Sequence, residues 1–475
     1  MVDQKDVQGF ILRAYGKMRY TRYLLLHIDD AATARQWLTK MSGRVTDGTH
    51  YPETTCINLA VTSPGLRVLG MHEDNIRSFG REFREGMATE HRQRMLSDFG
   101  ESDPNKWNWG GYPKGDNTDM NNIHLMLLLF AKDEELINQY YQEVTAELAT
   151  SGLSIIKTFE TSMLESNKEN FGFTDGISQP IIKDIGDDET NTHNVVATGE
   201  FLLGYKNEYK VFPDSPFIMS EQGDMNLLPT DEAGSGLKDI GRNGSYLVFR
   251  QMEQHVENFW EFMNEKTKAA DGSVDEEESI KLASKMVGRW PSGAPLTKFP
   301  DKDPFPGGMS EDDNFGYKDD ADGLKCPFGS HMRRNNPRDA FEDNKPKLSL
   351  SLTKKHRIIR RGRPYGEPFA GDPNNYKPVA EVGLHFMCFN SDISKQYEFV
   401  QHTWANFPRF QNLYNDPDPI SGALENAKNE CVQNFTIQAE PVNKCITNLK
   451  SFVTIRGGAY FFFPSINAIS YLGTL

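Results

Sequence analysis

Cysteine is scarce in this chain: five in 475 residues, Cys56, Cys326, Cys388, Cys431 and Cys445. The number is odd, no two form a CxxC pair, and none has zinc-like spacing. A disulfide framework is therefore not expected, and free thiols in a reducing compartment are. Positive charge is in deficit, with 52 Lys and Arg against 67 Asp and Glu, a net of −15. That balance argues against a general nucleic-acid binder and against docking on an anionic membrane. It tolerates a neutral or cationic small substrate, although solubility alone is the simpler reading. Long hydrophobic runs are missing; the longest, such as residues 125–131, is far too short to span a bilayer. The opening Met1-Val2-Asp3-Gln4-Lys5-Asp6 has neither an apolar signal core nor twin arginines. A cytoplasmic protein without nucleic-acid or membrane partners is expected, and a homo-oligomer remains open. Local histidine metal motifs are absent as well: there is no HxH and no HExxH.

What is present is the material of an ordinary globular protein, 37% hydrophobic and 25% charged, long enough for two sizeable cores. Apolar periodicity predicts strands at 23–28, 57–61, 124–131 and 153–158 and helices at 31–41 and 134–149. The same order returns in the second half. Strands are predicted at 245–251, 358–364 and 382–389, and a last one in two pieces, 452–455 and 459–463. Helices are predicted at 256–268 and 393–404. Two βαββαβ units in succession point to a two-unit ferredoxin-like α+β fold. The units are taken as 1–215 and 216–475, with the boundary inside the turn-rich stretch 181–244. Residues 269–323, acidic and rich in Gly and Pro, are read as a solvated insertion.

Two dense segments carry the chemistry. In the first, Gly172-Phe173-Thr174-Asp175-Gly176, a lone carboxylate stands between glycines that permit positive φ or close approach to something flat. On this segment alone, an Asp satisfying turn amides is the commoner reading. In the second, Cys326–Arg338, the lone His331 sits beside Arg333, Arg334 and Arg338. A hydrogen-bonded buried histidine is again the plainer reading. If His331 does bind metal, one histidine suffices only where a macrocycle supplies four other ligands, which favours haem over zinc or non-haem iron. A third element is the expected strand around Arg360. Alternation sends Arg361 and Arg363 to one face and Arg360 to the other. On the neighbouring strand Leu384 and Phe386 share a face, and His385 and Met387 the opposite one. Arg360 beside Leu384 and Phe386 would be a cation in an apolar pocket, costly unless an anion or peroxide fills it. An edge-strand arginine meeting solvent is the alternative.

Together these segments resemble the dye-decolourising peroxidase family, in its longer forms. Gly172–Gly176 is similar to that family's GxxDG signature, Cys326–Arg338 to the stretch carrying its axial histidine, and Arg360 with Pro364-Tyr365-Gly366 to its distal-arginine strand. Gly383-Leu384-His385-Phe386 and the run from Arg456 to Pro464 match too. So do Gly65–Gly70, Phe83–Met87, Trp107–Gly110 and Val287–Gly293. The resemblance covers nearly the whole chain, and this many matches in order are specific.

The resemblance implies two ferredoxin-like units of the dimeric α/β-barrel-like superfamily, with one haem b (iron protoporphyrin IX) per chain in the C-terminal unit. It implies oxidation of bulky dyes and phenolic compounds by hydrogen peroxide through an oxyferryl intermediate. Residue by residue, His331 resembles the proximal iron ligand and Asp175 the distal acid/base. Arg360 resembles the distal cation, Leu384 and Phe386 the dry distal wall, and Asp418 the acidic partner of the proximal imidazole. Arg333 or Arg334 is expected to pair with a haem propionate. His385 replaces an aliphatic residue and should point away from the cavity. A haem-handling protein with incidental peroxidase activity is the competing reading, and an acidic α+β scaffold without haem the third.

Overall fold

The computed structural model describes residues 2–163, 167–186, 191, 193–341, 345–367, 378, 380–423 and 433–475. The first unit runs β1 (Tyr20–Ile28), α1 (Ala31–Ser42), β2 (Thr55–Val61), β3 (Leu125–Ala131), α2 (Glu134–Leu148) and β4 (Leu153–Ser162). Asp30 starts α1 by accepting the Thr33 N–H at 2.7 Å, and Asp133 starts α2 by accepting that of Leu136 at 2.9 Å. The second unit runs β5 (Ser245–Gln254), α3 (Val256–Lys266), α4 (Glu276–Val287), β6 (Ile359–Arg360), β7 (Arg363–Tyr365), β8 (Gly383–Asn390) and β9 (Val453–Phe463), then a closing helix α5 (Ile466–Leu472).

The main strands form one nine-stranded sheet in the order β6-β8-β5-β9-β2-β3-β1-β4, with β7 also paired to β8. All of its pairings are antiparallel. Each half keeps the same strand order, that of a ferredoxin-like unit. The halves meet at β9 and β2, where Phe462 faces Val61. The sheet curls until Phe159 on β4 lies 5.0 Å, ring centre to ring centre, from His385 on β8.

Strand alternation divides the core. Leu24, Leu26, Leu125, Leu127, Val248 and Phe462 face the helices with Trp37, Leu38, Ile137 and Leu148. Tyr23, Leu25, Phe130, Phe249, Met387 and Phe461 fill the opposite face with Phe10 and Ile11 from the N-terminal segment. Both faces are covered, so β3 is buried along its whole length. No described helix is long and apolar enough to cross a membrane. Cys56, Cys326, Cys388 and Cys445 are free thiols, and Cys431 lies outside the described residues.

The expected elements appear with four differences. The acidic run Glu276-Glu277-Glu278 is not loose chain but the first turn of α4. Asp275 caps it, the glutamates suit the positive end of the helix dipole, and Leu282, Ala283 and Met286 are buried against α3. The last strand is one piece with a register shift between Ile455 and Gly457. A Cβ at Gly457 would come within 2.3 Å of Trp109 Nε1, so only glycine admits that indole. The expected 358–364 strand breaks at Arg361-Gly362 without losing register: Ile359 faces Phe389 and Arg363 faces His385. The 393–404 helix is wound as wide π-helical turns, Ser394–Glu398 and Val400–Ala405. Arg334 binds the Trp404 carbonyl at its end.

Candidate active site

One face of the second unit forms the floor of a deep cavity. Register puts Leu384 opposite Met252, Phe386 opposite Arg250, and Arg360 opposite Cys388. These side chains therefore project from the same face. Arg360, Leu384, Phe386, Met252 and Gln254 line the cavity, together with Asp175 and His331. Its volume is about 260 Å³, and its empty space with the open mouth included is about 1620 Å³. A second cavity shares Met252, Gln401, Ser421 and Val453 but touches none of Asp175, Arg360 or His331.

Asp175 is held by a tight loop rather than by an element. Its N–H donates to the Asn167 carbonyl at 2.9 Å. Gly172 and Gly176 on either side take φ of +95° and +80°, which L side chains adopt with strain. Asp175 Oδ1 accepts the Gly176 N–H at 2.6 Å and an Arg360 Nη1 hydrogen at 3.2 Å. Arg360 is fixed from two more directions: its N–H donates to Gln179 Oε1 at 3.0 Å and its Nη2 to the Ser178 carbonyl at 3.2 Å. Both side chains keep about a third of their surface exposed, 38% for Asp175 and 34% for Arg360.

His331 opens a short helix, His331–Asn335, that follows the Cys326 turn. Its Nδ1 lies 2.9 Å from Asp418 Oδ2 and 3.1 Å from Oδ1. Asp418 is completely buried and accepts the Ile420 and Ser421 N–H groups at 2.8 and 2.9 Å. Asn335 Nδ2 donates to the same carboxylate at 2.6 Å and to the His331 carbonyl at 2.7 Å. Burial alone would raise the Asp418 carboxyl, but His331, Arg334 and the loop amides bring it down to about 2. An ionised Asp418 assigns the imidazole proton to Nδ1 and leaves Nε2 as a lone pair.

Arg333 and Arg334 are not in the cavity, which corrects the propionate expectation. Arg333 is fully buried and donates to Asp320 Oδ2 and the Cys326 carbonyl at 2.8 Å each, sandwiched near Tyr317 and Phe328. Arg334 ties the carbonyls of Trp404, Phe407 and Asp416. For Arg333, helical spacing explains the difference. Asn335, four residues after His331, shares its face and lines the cavity, while Arg333 turns away from it. His385 also lies outside the cavity, buried and stacked on Tyr365 at 4.4 Å.

The structure supplies cations that the motif reading passed over. Arg289 and Arg357 line the cavity, each buried. Arg289 donates Nη1 to the Gly293 and Asp312 carbonyls and its Nη2 lies 3.6 Å from Asp313 Oδ1, while Nε and Nη2 of Arg357 have no hydrogen-bond partner among the described residues. Burial pulls the two guanidiniums down, to about 10 for Arg289 and about 9 for Arg357. A buried cation without a partner, as at Arg357, is costly unless an anion meets it. Arg289 was within reach in the Val287–Gly293 match; Arg357 carried no signal beyond its neighbourhood to Arg360.

These residues fit haem. The cavity is largely apolar, one imidazole with a carboxylate behind it faces in, and the guanidiniums of Arg357 and Arg289 suit the macrocycle's carboxylates. Among the described residues no group of three or more His, Cys, Asp or Glu is placed to hold a metal unaided. An iron at His331 would thus need ligands from a macrocycle.

No protein-family model matches the chain. It is 29% identical over 488 residues to a dye-decolorizing peroxidase from Exidia glandulosa, covering 98% of this chain and 86% of that protein. It is 28% identical over 487 residues to the multifunctional dye peroxidase DyP2 of an Amycolatopsis species, covering 97% of this chain and 94% of the relative. Among solved structures, an ancestral D-type dye-decolorizing peroxidase superposes with a TM-score of 0.78 at 26% identity over 100% of both chains. A dye-decolorizing peroxidase in complex with 2,6-dimethoxyphenol shares the fold, with a TM-score of 0.77 at 24% identity.

Proposed function

We propose that this chain, a homologue of the dye-decolourising peroxidases along nearly its whole length and a peroxidase-class oxidoreductase, reduces hydrogen peroxide in the cavity between Asp175, Arg360 and His331. Its reducing substrates are bulky dyes and phenolics. The observation that carries this reading is the convergence, on one cavity, of a carboxylate–guanidinium pair and a carboxylate-backed imidazole from distant parts of the chain.

Haem b, when bound, supplies a redox-active iron and stores the oxidising equivalents drawn from peroxide. His331 Nε2 would hold the iron. Asp418 keeps the proton on Nδ1 and makes the imidazole a stronger donor. Arg289 and Arg357 would face the macrocycle's carboxylates. On the distal side, Asp175 Oδ1 is occupied by Arg360 and the Gly176 amide. Oδ2 is therefore the oxygen assigned to proton transfer: it takes a proton from the inner peroxide oxygen and returns it to the outer one, which leaves as water. Arg360 stabilises the negative charge that develops as the O–O bond breaks. Leu384 and Phe386 exclude water from that step.

Stopped-flow mixing of the haem-loaded protein with peroxide tests the reading. Fast change of the haem absorption, lost in Arg360→Leu and in Asp175→Asn, is expected. Slow bleaching that both variants leave unaltered would favour a haem-handling protein instead.

A further inference from the structure

The distal loop is built around a second carboxylate that the mechanism does not use. Glu169 Oε1 accepts the Phe173 N–H at 2.9 Å. Its Oε2 accepts the Phe171 N–H at 2.9 Å and a Gln254 Nε2 hydrogen at 2.7 Å. The main chain closes the same ring: the Glu169 N–H donates to the Phe173 carbonyl at 3.0 Å, and the Gly172 N–H to the Glu169 carbonyl at 2.9 Å. One residue further out, Lys168 and Thr174 form a bridge, and beyond it the Asp175 N–H reaches the Asn167 carbonyl. Successive rungs thus run from the Glu169 carboxylate to Asp175. The hub is moored to β5 through Gln254, whose Oε1 also accepts from Asn170; Asn170 in turn reaches the Gly383 carbonyl on β8. Loop and distal sheet are so joined at one side chain.

We propose that Glu169 is the positioning residue for the distal carboxylate: residues 167–176 fold around it, and it fixes the pose of Asp175 relative to Arg360. The inference rests on the peroxidase reading above and deepens it. Two oxygens serve three N–H donors from three residues, so the site needs acceptors only. A glutamine of the same shape has one carbonyl oxygen, and its NH₂ group would meet a donor where a bond now stands. An aspartate keeps both oxygens but falls one methylene short. Burial, with the Asp175 charge adding to it, raises the Glu169 carboxyl to about 7 even with the three donors in place. Displacing a reacting group by about 1 Å can cost on the order of 100-fold in rate.

The test is a double-mutant cycle on the haem-loaded protein, read by the rate constant for reaction with hydrogen peroxide and by amide hydrogen exchange. Glu169→Gln should slow the peroxide step about 10- to 100-fold while haem content and absorption spectrum stay those of the parent. It should also speed exchange at the Phe171 and Phe173 amides, and Glu169→Asp should recover part of both. In an Asp175→Asn background, Glu169→Gln should add little further loss, because it acts through Asp175. An equal loss in both backgrounds, or an unchanged peroxide rate in Glu169→Gln, would overturn the proposal. Should Asp175→Asn itself keep the parent rate, the proton-transfer reading fails. The hub then stands or falls on exchange alone: unchanged Phe171 and Phe173 protection in Glu169→Gln sinks it.

Discussion

The carboxylate behind His331 and the carboxylate beside Arg360 are built in opposite ways. Asp418, behind His331, is completely buried, takes hydrogen bonds from two backbone amides, a histidine and an asparagine, and is held ionised. Asp175 is more than a third exposed, has one oxygen paired, and hangs from a loop. The first arrangement suits a group that must never change its proton; the second suits one that must. Rigidity on one side and access on the other would divide the labour in the proposed reaction.

The comparison predicts that substitutions on the exposed side cost rate and those on the buried side cost the cofactor. The largest effect belongs to Asp175→Asn, which should slow the peroxide step by about 10²–10⁴-fold, the usual weight of a general acid/base, with haem retained. Arg360→Leu should follow at about 10²–10³-fold. If either variant instead lost haem while keeping the rate per haem, the division of labour would be wrong. Next comes Asp418→Asn, expected to weaken haem retention or activity by about 10- to 100-fold as outer partners of metal ligands do. Its signature should be a shifted haem absorption spectrum, which Asp175→Asn should leave alone. Smaller again is Arg357→Met. Removing one unpartnered guanidinium should weaken haem binding several-fold in a competition titration against an apohaem acceptor, while sparing the unfolding midpoint of the haem-free protein. A midpoint that fell with haem affinity unchanged would make Arg357 a packing residue.

How much of this was legible beforehand follows the same division. Asp175, His331 and Arg360 each lie in a short motif, and strand alternation separated Arg360 from Arg361 and Arg363 and Leu384 and Phe386 from His385, but only the register puts Arg360 on the face of Leu384 and Phe386. The strand order of both units was equally open to reading, because β-strands buried on both faces leave unbroken apolar runs such as Leu125–Ala131. What stayed hidden depends on partners distant in sequence. Arg333 and Arg334 look like ligands for an anion until Asp320 and the carbonyls of Trp404, Phe407 and Asp416 appear beside them. Arg357 lies in no motif, and only the structure shows it buried with Nε and Nη2 lacking a hydrogen-bond partner among the described residues. Glu169 reads as one more charge in a polar loop, since its role lies in three N–H groups that no residue letter reveals. The helix α4 was mistaken for loose chain because three successive glutamates signal solvent and a helix N-terminus equally well.

The smallest prediction sharpens the comparison through stability rather than rate. The Glu169 carboxyl is raised to about 7 in the folded protein by burial, against an ordinary value of 4.5. Between those values the folded state binds more protons than the unfolded one, so stability is fully present below about pH 4.5 and falls as pH rises towards 7. The drop is at most a few kcal/mol, since one pK unit corresponds to about 1.4 kcal/mol. Urea unfolding of the haem-free protein at pH values across that window should show a slope that Glu169→Gln flattens, because an amide has no proton to lose. Asp418→Asn should leave the same slope in place, since Asp418 is already ionised throughout the window. A slope that survives in Glu169→Gln would assign it to other raised carboxyls, among them Glu200 at about 7 and Asp239 at about 6, which lie outside the cavity lining. The buried half of the site would then be silent in this range, and the contrast between its two carboxylates would rest on rates alone.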